Sequence, residues 1–496
     1  MDRRHFLRVT AAATAAASLH RASFAQDSTS LILHTDRPGP VMPLDFVGLS
    51  YERQQLADPT FFSAANTGLI ARFRQLAPHG ALRIGGNTAE FSWWKPTPNS
   101  VAPPRPPSRD VGNGEPATDF SYSVTPLAVD NLAAFLKATG WSVIYGLNLG
   151  TATPAINAQE AAYVTRVLDP HLQYLQIGNE ADLFGKHLRD PKAWNADAYL
   201  AEWLAHARAI AAAVPAAKFG ILDVASSMAW VTKVGELWPT VANKPQLVAL
   251  SHHYYFTGPP DNPNATIPRL LAPDPRVLRD AATTATAARL LNARFRMTEG
   301  NTCYRGGKPG FSDVFAASLW AADYALTLAS LGYAGINLHG GGGNEVANSL
   351  GGSLPGEALM PDPKAPHPRP FYTPIANIDS HYVPEPVFFG LQFAGHLAGS
   401  TIIPVTLNAA GINATAYAAK MPTGHTLIAI INKDATRDLA LTINARAILA
   451  TETLTAPALD AHSATLAHQP VSHLMRSAAE PIPITIPHAS AKLITI

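Results

Sequence analysis

The sequence has little charge and almost no cysteine, and both shortages restrict what the protein can be. Charged residues make up only 15% of the 496 residues, and 37 basic residues nearly balance 36 acidic ones. A general nucleic-acid surface needs an excess of positive charge, so we expect no nucleic-acid partner. Cys303 is the single cysteine, which excludes an intramolecular disulfide. Hydrophobic residues reach 47%, so stability must come from packing of a large core.

Long apolar runs are also lacking, and the N-terminal one is too short and too rich in alanine to span a bilayer. The start, "MDRRHFLRVTAAATAAASLHRASFA", combines basic residues, an apolar run and a small-residue cleavage pattern. This predicts a signal peptide over residues 1–25, and the Arg3-Arg4 pair resembles the twin-arginine type. An N-terminal anchor is the alternative. We expect export to the periplasm or the medium of a bacterial cell, with no membrane association after cleavage.

After this segment, short apolar runs alternate with Ala- and Leu-rich stretches of helical periodicity, such as residues 196–213 and 312–331. The strand candidates begin at eight positions: Asp45, Ala81, Trp141, Leu172, Phe219, Leu247, Phe295 and Tyr333. Eight strands alternating with helices predict an α/β fold of the (β/α)8 TIM-barrel type, in which chemistry takes place at the carboxyl ends of the strands.

The composition changes to short β-type runs near residue 400, which predicts a C-terminal antiparallel β-sandwich. We therefore expect a barrel over residues 45–400 and a sandwich over 401–496, with residues 26–44 supplying one more sandwich strand. Two long connections, residues 96–126 and 340–374, follow barrel strands and should wall the face that carries the active site.

Two glutamates end strand candidates. Glu180 follows the fourth in "LQIGNE", and Glu299 follows the seventh in "RMTEGN". Strand ends converge on one mouth in a closed barrel, and two carboxyl groups there can cleave a glycosidic bond, one as acid and one as nucleophile or base. Taken singly, each glutamate is more often structural, as a neighbour of a helix N-cap or as a solvated loop residue. The pairing favours catalysis.

Further polar side chains accompany the pair. Arg83 lies in the apolar second strand, where an unpaired guanidinium is costly, so we expect it to hold a carboxylate ionised. In the sixth strand, "SHHYYF" places His252 and Tyr254 on one face and His253 and Tyr255 on the other. Only one of these pairs can face the mouth.

With these residues in order, the sequence resembles family 79 of the glycoside hydrolases, the retaining β-glucuronidases and heparanase. The resemblance runs along the chain through "LRIGGNTAEF", "LQIGNEADLF", "HHYYF" and, most specifically, "EGNTCYRGGKPGFSDVFAASLWAADYAL". It implies that Glu180 is the acid/base, Glu299 the nucleophile, and Asn179 a ligand of the sugar 2-hydroxyl. It also implies that Arg83 adjoins the nucleophile, and it matches His252 and Tyr254 to the inward pair.

A glucuronide needs a seat for the sugar carboxylate, and the loop "CYRGGKPG" can supply one. Tyr304 offers a phenolic donor, and backbone N–H groups around Arg305, Gly306 and Gly307 can form an anion-binding concavity. The resemblance implies a tyrosine from the loop after the eighth strand as well. None occurs there until Tyr372, so the second partner stays open.

Glu90, in "GGNTAEF", matches an acidic sugar-binding residue of the family, and an ordinary surface glutamate is the alternative. The resulting expectation is an exported exo-β-glucuronidase that needs neither metal nor cofactor and acts on glucuronic acid-containing glycans. An endo-acting, heparanase-like enzyme is the close alternative, and a non-catalytic carbohydrate-binding barrel is the third. The oligomeric state stays open.

Overall fold

The computed structural model describes residues 29–103, 122–304, 306–341, 370–378, 381–470 and 478–496. Eight parallel strands close into a barrel, and each one pairs with its neighbours in chain order. We label them β1 to β8: Val47–Glu52, Ala81–Gly85, Ser142–Leu147, Leu172–Ile177, Phe219–Val224, Leu247–Tyr255, Arg294–Asn301 and Ile336–Gly340. The predicted (β/α)8 barrel is confirmed.

One main helix follows each barrel strand. In chain order these helices are Thr67–Leu76, Pro126–Thr139, Pro154–Leu168, Ala196–Ala213, Met228–Leu237, Pro275–Leu291, Phe315–Ser330 and Pro386–Gly395, with a short helix at Ile267–Leu270. Several begin at a proline that follows a capping residue, such as Thr125 before Pro126 and Thr153 before Pro154. Proline fits the first helical position, where no N–H donor is needed.

The inside of the barrel is polar as well as apolar, and glycines make room for its polar side chains. A Cβ atom at Gly48 would lie 2.5 Å from the Asn337 amide nitrogen, and one at Gly220 would lie within 2.5 Å of the Tyr174 ring. Asn337 accepts a hydrogen bond of 2.7 Å from Arg296 Nε. The buried guanidinium of Arg296 is thus held by a partner from another strand, as burial of a charged group requires.

The C-terminal part is built from antiparallel strands. Its six-stranded sheet contains, in spatial order, Thr401–Ile403, Ala414–Lys420, Thr426–Asn432, Ser490–Thr495, Ala450–Thr455 and Thr465–Pro470. Two further pairs join it: Leu439–Ala445 with Glu480–Ile486, and Ser30–Leu33 with Val405–Asn408. The segment that precedes the barrel in the chain therefore pairs with a strand that follows the barrel.

The central strand of the six-stranded sheet, Thr426–Asn432, is buried on both of its faces. Leu427, Ala429 and Ile431 belong to the same hydrophobic core as the barrel and its helices. The alternate residues Ile428 and Ile430 belong to a second core, formed with the smaller strand pairs. Because successive side chains point to opposite faces, one face of this strand packs against the barrel and the other packs inside the sandwich.

Polar contacts also fasten the barrel to the sandwich. The helix Phe315–Ser330 begins with two N–H groups that donate to the sandwich carbonyls of Ala461 and Leu459, both at 2.8 Å. In its middle, Asp323 accepts bonds from Lys433 Nζ at 2.5 Å and from the Tyr417 hydroxyl at 2.6 Å.

The predicted signal peptide and most of both long connections lie outside the described residues. Within the described ranges, no helix is both long enough and apolar enough to cross a bilayer. The domain boundaries at residues 25, 44 and 400 stay predictions.

Replacing Asp323 with alanine should destabilise the fold. The Lys433 side chain is 4% exposed, so the substitution leaves a buried ammonium unpaired, and we expect a loss of about 3 kcal/mol in the free energy of unfolding. Urea unfolding at pH 7 measures it. The control is Asp36→Ala, which breaks an ion pair whose two side chains are 78% and 73% exposed and should change stability by less than about 0.5 kcal/mol. Equal effects would contradict the fastening role.

Candidate active site

A turn in the left-handed region of the backbone positions Glu180 just after β4. Gly178 has φ 86° and Glu180 has φ 48°. A Cβ atom at position 178 would lie 2.9 Å from the Leu149 side chain, so glycine is required. For Glu180 this conformation costs of the order of 1–3 kcal/mol. A hydrogen bond of 2.9 Å from its N–H to the Asp223 carbonyl secures the turn.

Glu299 lies at an irregularity of β7. The register of β7 shifts after Met297 against both neighbouring strands, and such a bulge re-aims a side chain. Its carboxylate accepts a bond of 2.6 Å from Arg83 Nη1 and one of 2.9 Å from the Tyr255 hydroxyl. Glu299 is 6% exposed, so these donors replace most of its contact with water.

The two glutamates meet across the barrel mouth, with one imidazole between them. A carboxylate oxygen of Glu180 lies within 4.8 Å of one of Glu299. His253 Nδ1 lies 2.8 Å from Glu180 Oε1 and 3.9 Å from Glu299 Oε1. The ends of β4, β6 and β7 thus build one cluster.

The surroundings push the proton affinities of the two carboxyl groups apart. Burial raises the pKa of Glu299, but the charges of His339, His253 and Arg83 and the Tyr255 hydrogen bond outweigh it and hold the pKa at about 2. Burial also raises the pKa of Glu180; His253 opposes the rise, Glu299 adds to it, and the net shift is upward. One group is set to stay ionised and the other to hold a proton, which is the division of labour of a nucleophile and an acid.

His253 carries a positive charge in this cluster. Burial lowers its pKa, but the charges of Glu299 and Asp223 and its hydrogen bonds raise the pKa to about 10. Both ring nitrogens then bear protons. Ligand-type atoms of Glu180, His253 and Glu299 lie within 4.8 Å of one another, so the three side chains form one compact polar cluster. The group is suited to proton transfer.

The orientation predicted for β6 is wrong. His252 and Tyr254 point outward: His252 Nε2 lies 2.8 Å from the Tyr333 hydroxyl, and Tyr254 donates to Asp274 at 2.7 Å. His253 and Tyr255 point into the mouth instead. The repeated "HHYY" gives both faces of β6 the same residue types, so the two-residue period cannot decide between them. The pair matched through the resemblance lies one residue away from the pair that faces the mouth.

Arg83 binds the strand ends together. Its Nη2 donates to Asn179 Oδ1 at 2.6 Å and to Asp223 Oδ2 at 2.5 Å, while Nη1 holds Glu299. Asn179 Nδ2 lies 3.2 Å from Asn87 Oδ1. Arg83 and Asn179 therefore lie beside the two carboxyl groups. Because Arg83 binds the amide oxygen of Asn179, the amide nitrogen points away from Arg83.

Glu90 is 2% exposed and is not a surface residue. Its carboxylate accepts the backbone N–H of Asn179 at 2.8 Å and also that of Gly150. Burial raises its pKa to about 7, although those two bonds lower it. The side chain thus supports the backbone beneath Glu180, with both oxygens already occupied.

The predicted carboxylate seat lies beside Glu299. Tyr304 is 36% exposed, and its ring meets the Tyr255 ring edge-on at 6.0 Å. Gly306 and Gly307 have φ 77° and 84°, which glycine adopts without strain. Arg305 lies outside the described residues.

The sequence does not predict whether Tyr372 belongs to the site, and the structure places it beside Gly306. Its N–H donates to the Gly306 carbonyl at 3.2 Å, and its ring lies 6.0 Å from that of His339. Burial and the Glu299 charge raise its pKa, while hydrogen bonds with the Gly306 backbone and with Tyr255 lower it; the net shift is upward. The phenol of Tyr372 is therefore neutral and faces the turn at Gly306 and Gly307. Its distance from β8 along the chain prevents this position from being predicted from the sequence.

Other site residues were missed as well. Asp223 ends β5, and His339, in β8, lies 3.9 Å from Glu299 Oε2 and 3.4 Å from Glu52. A polar residue at the end of an apolar strand was the signal used for Glu180, and "FGILDVA" and "YAGINLHG" carry the same signal.

The unequal carboxyl groups should have opposite effects on stability. The folded-state pKa of Glu299, about 2, lies below its ordinary 4.5. Its stabilisation is therefore present above pH 4.5, is worth about 3 kcal/mol, and is lost as the pH falls towards 2. Glu180 has a raised pKa, so its ionised form costs stability at neutral pH. We expect Glu299→Gln to destabilise the protein at pH 7 and flatten the acid loss, and Glu180→Gln to stabilise it. Urea unfolding between pH 3.5 and 7 measures both, and equal effects would contradict the assignment.

No family model matches the chain. Two curated proteins named beta-glucuronidase are similar to it. The one from Aspergillus niger is 24% identical over 344 residues, which cover 64% of this chain and 61% of that protein. The one from Neurospora crassa is 25% identical over 379 residues, which cover 68% and 66%. The match spans less than two thirds of the length of either relative.

Solved structures with the same architecture cover nearly the whole chain. One is a 4-O-alpha-L-rhamnosyl-beta-D-glucuronidase from Fusarium oxysporum 12S, with a TM-score of 0.66 and 17% identity over 94% of this chain and 100% of that one. Another is a GH51 arabinofuranosidase from Xanthomonas axonopodis pv. citri, with a TM-score of 0.62 and 15% identity over 94% and 100%. At these identities the likeness shows the fold. The two curated relatives confirm the resemblance to β-glucuronidases that the sequence predicted.

Proposed function

We propose that this chain is a family-79 glycoside hydrolase that releases β-linked glucuronic acid with retention of configuration. One observation carries the proposal: oxygens of Glu180 and Glu299 lie within 4.8 Å of each other. Carboxyl groups about 5–5.5 Å apart suit direct attack on the sugar, whereas about 6.5–9.5 Å leaves room for a water molecule between them.

In the first step, Glu299 attacks the anomeric carbon and the bond to the leaving oxygen breaks. Glu180 gives its proton to that oxygen, so the aglycone departs as a neutral alcohol and the sugar is left as an ester of Glu299. The depressed pKa of Glu299 keeps the nucleophile ionised at the pH where Glu180 still holds its proton.

In the second step, water replaces Glu299 at the same carbon. The Glu180 carboxylate, now ionised, takes a proton from that water, and the restored Glu299 carboxylate returns to its bonds with Arg83 and Tyr255. His253, charged and 2.8 Å from Glu180, stabilises the ionised state that this step requires. We expect an acidic optimum, because the first step needs protonated Glu180.

Glucuronide specificity is proposed from the relatives and from the seat beside Glu299. The curated relatives are named beta-glucuronidase, and the Fusarium protein acts, by its description, on a rhamnosyl-glucuronide. Among the described residues, Tyr304 and Tyr372 bring phenolic hydroxyl groups to the loop beside Glu299, where they can donate to a carboxylate. Such donors favour an anion through directed bonds.

Exo action and export rest on the sequence alone, because residues 1–28 and 342–369 lie outside the described part of the chain. A length series of glucuronic acid-terminated oligosaccharides separates the modes. Exo action releases monosaccharide from the first moments, whereas heparanase-like endo action releases larger fragments. A non-catalytic carbohydrate-binding barrel would bind the series without cleaving it.

Variants of the two glutamates should fail in different ways. Glu299→Gln is expected to lower kcat by at least about 10⁴-fold on every glucuronide, because no ester can form. Glu180→Ala should lower kcat about 10²–10⁴-fold on phenyl β-glucuronide but far less on 2,4-dinitrophenyl β-glucuronide, whose leaving group needs little protonation. NMR of the first product of the unmodified protein should show the β-anomer. Equal losses in both variants, or an α-anomer as first product, would remove the assigned roles.

The seat can be tested by removing single hydroxyl groups. Tyr304→Phe and Tyr372→Phe should each lower kcat/KM for 4-nitrophenyl β-glucuronide about 10–100-fold, the worth of one hydrogen bond to a charged group. Activity on 4-nitrophenyl β-glucoside, which has no carboxylate, should change little. Tyr163→Phe, on the outer helix Pro154–Leu168, is the matched control. Equal losses on both substrates would place the hydroxyls outside carboxylate recognition.

A further inference from the structure

Asp223 lies deeper than the reacting pair, and none of the steps above uses it. Its side chain is fully buried at the end of β5, and both of its oxygens have partners. Oδ2 accepts a bond of 2.5 Å from Arg83 Nη2, and Oδ1 accepts one from the Thr298 hydroxyl. His253 Nε2 lies 3.2 Å from Oδ1. The two cations of the site therefore share this carboxylate.

The backbone at this point is strained. Leu222 and Asp223 are consecutive non-glycine residues with φ 80° and 57°. A buried tyrosine, Tyr199, accepts the Leu222 N–H on its hydroxyl at 2.8 Å and so helps to hold the peptide. The turn presents the Asp223 carbonyl to the N–H of Glu180 at 2.9 Å. Strain of this kind persists only where the surroundings enforce it, and it marks sites of function.

We propose that Asp223 is a positioning residue for Glu180: its carboxylate fixes the His253 imidazole against the acid, and its carbonyl fixes the acid's backbone. The inference rests on the proposed function, because it assigns Asp223 to the acid/base half of that reaction. Asp223 does not reach the substrate and acts only through His253, Arg83 and the turn of Glu180.

The charges around the site explain why a second buried anion is needed. Arg83 and His253 are cations and Glu299 is an anion, so Asp223 makes the cluster neutral while Glu180 keeps its proton. Among the residues that the structure describes, the other titratable groups facing the cluster are Glu52, Tyr174, Asp182, Tyr199, His252, Tyr255, His339 and Tyr372. Removing the Asp223 charge would leave excess positive charge, which releases protons from its neighbours. The pair formed by Glu180 and His253 would then hold its proton less tightly.

The first test is the pH dependence of Asp223→Asn, which keeps the shape and removes the charge. We expect the basic limb of kcat/KM to move at least about one pH unit towards acid. The loss in kcat should be about 10–100-fold on phenyl β-glucuronide and only a few-fold on 2,4-dinitrophenyl β-glucuronide, because protonation of the leaving group is the impaired event. KM should change little.

Thr298→Val is the matched control, since it removes a hydrogen bond to the same oxygen but keeps the charge. Its basic limb should stay within about 0.3 pH unit of the unmodified protein, because the charge that tunes the pair is unchanged. A purely structural role would lower the activity of both variants at every pH. A folded Asp223→Asn protein with an unmoved limb would overturn the proposal.

The second test needs no activity. NMR of histidine-labelled protein, with the His253 signal assigned by its loss in His253→Gln, follows the titration of that ring. We expect it to stay protonated beyond pH 8 in the unmodified protein and to release its proton at least about one unit earlier in Asp223→Asn. Titration near the ordinary 6.5 in the unmodified protein would overturn the proposal, even if Asp223→Asn does not fold. If the unmodified protein cleaves no glycoside, the proposed function fails while this titration still decides the place of Asp223.

Discussion

The buried charge of Arg83 is the constraint around which the active site is built. A guanidinium that is 1% exposed is tolerable only if acceptors converge on it, because an uncompensated buried charge costs several kcal/mol. Here the acceptors come from β5 and β7 and from the turn after β4. Because this one side chain of β2 needs hydrogen-bond acceptors, three other strands bring polar groups to it at or just after their ends. Those groups include the ones assigned to the reaction.

The same constraint separates the two glutamates. The Glu299 carboxylate touches Arg83 directly, whereas the Glu180 carboxylate touches His253, a cation that already faces Asp223. Two like side chains in one small space therefore have different proton affinities. Neighbouring charges and burial suffice, as in other carboxyl pairs divided by their environment.

The barrel, the order of its strands and both glutamates could be predicted from the sequence, because each strand ends in a break with a polar residue after it. What could not be predicted depends on register or on distant segments. His253 and Tyr255 were passed over because doubled residue types hide which face of β6 points inward. The resemblance matches Glu90 to a sugar-binding acid, and its bonds to the backbone of Asn179 and Gly150 could not be predicted because those residues are distant in the chain. Tyr372 is too far along the chain from β8 for spacing to place it.

The hydrogen bonds from the start of the helix Phe315–Ser330 to carbonyl groups of the sandwich have a consequence for the architecture of the protein. That helix follows the strand and loop that carry Glu299 and Tyr304, and its first N–H groups are satisfied by residues about 150 positions further along the chain. A barrel expressed without its C-terminal sheet would leave those donors bare, together with the apolar surface that Leu427 and Ile431 cover. The barrel therefore depends on the sandwich for these contacts, and grafting the loops of this mouth onto another barrel would require carrying the sheet with them.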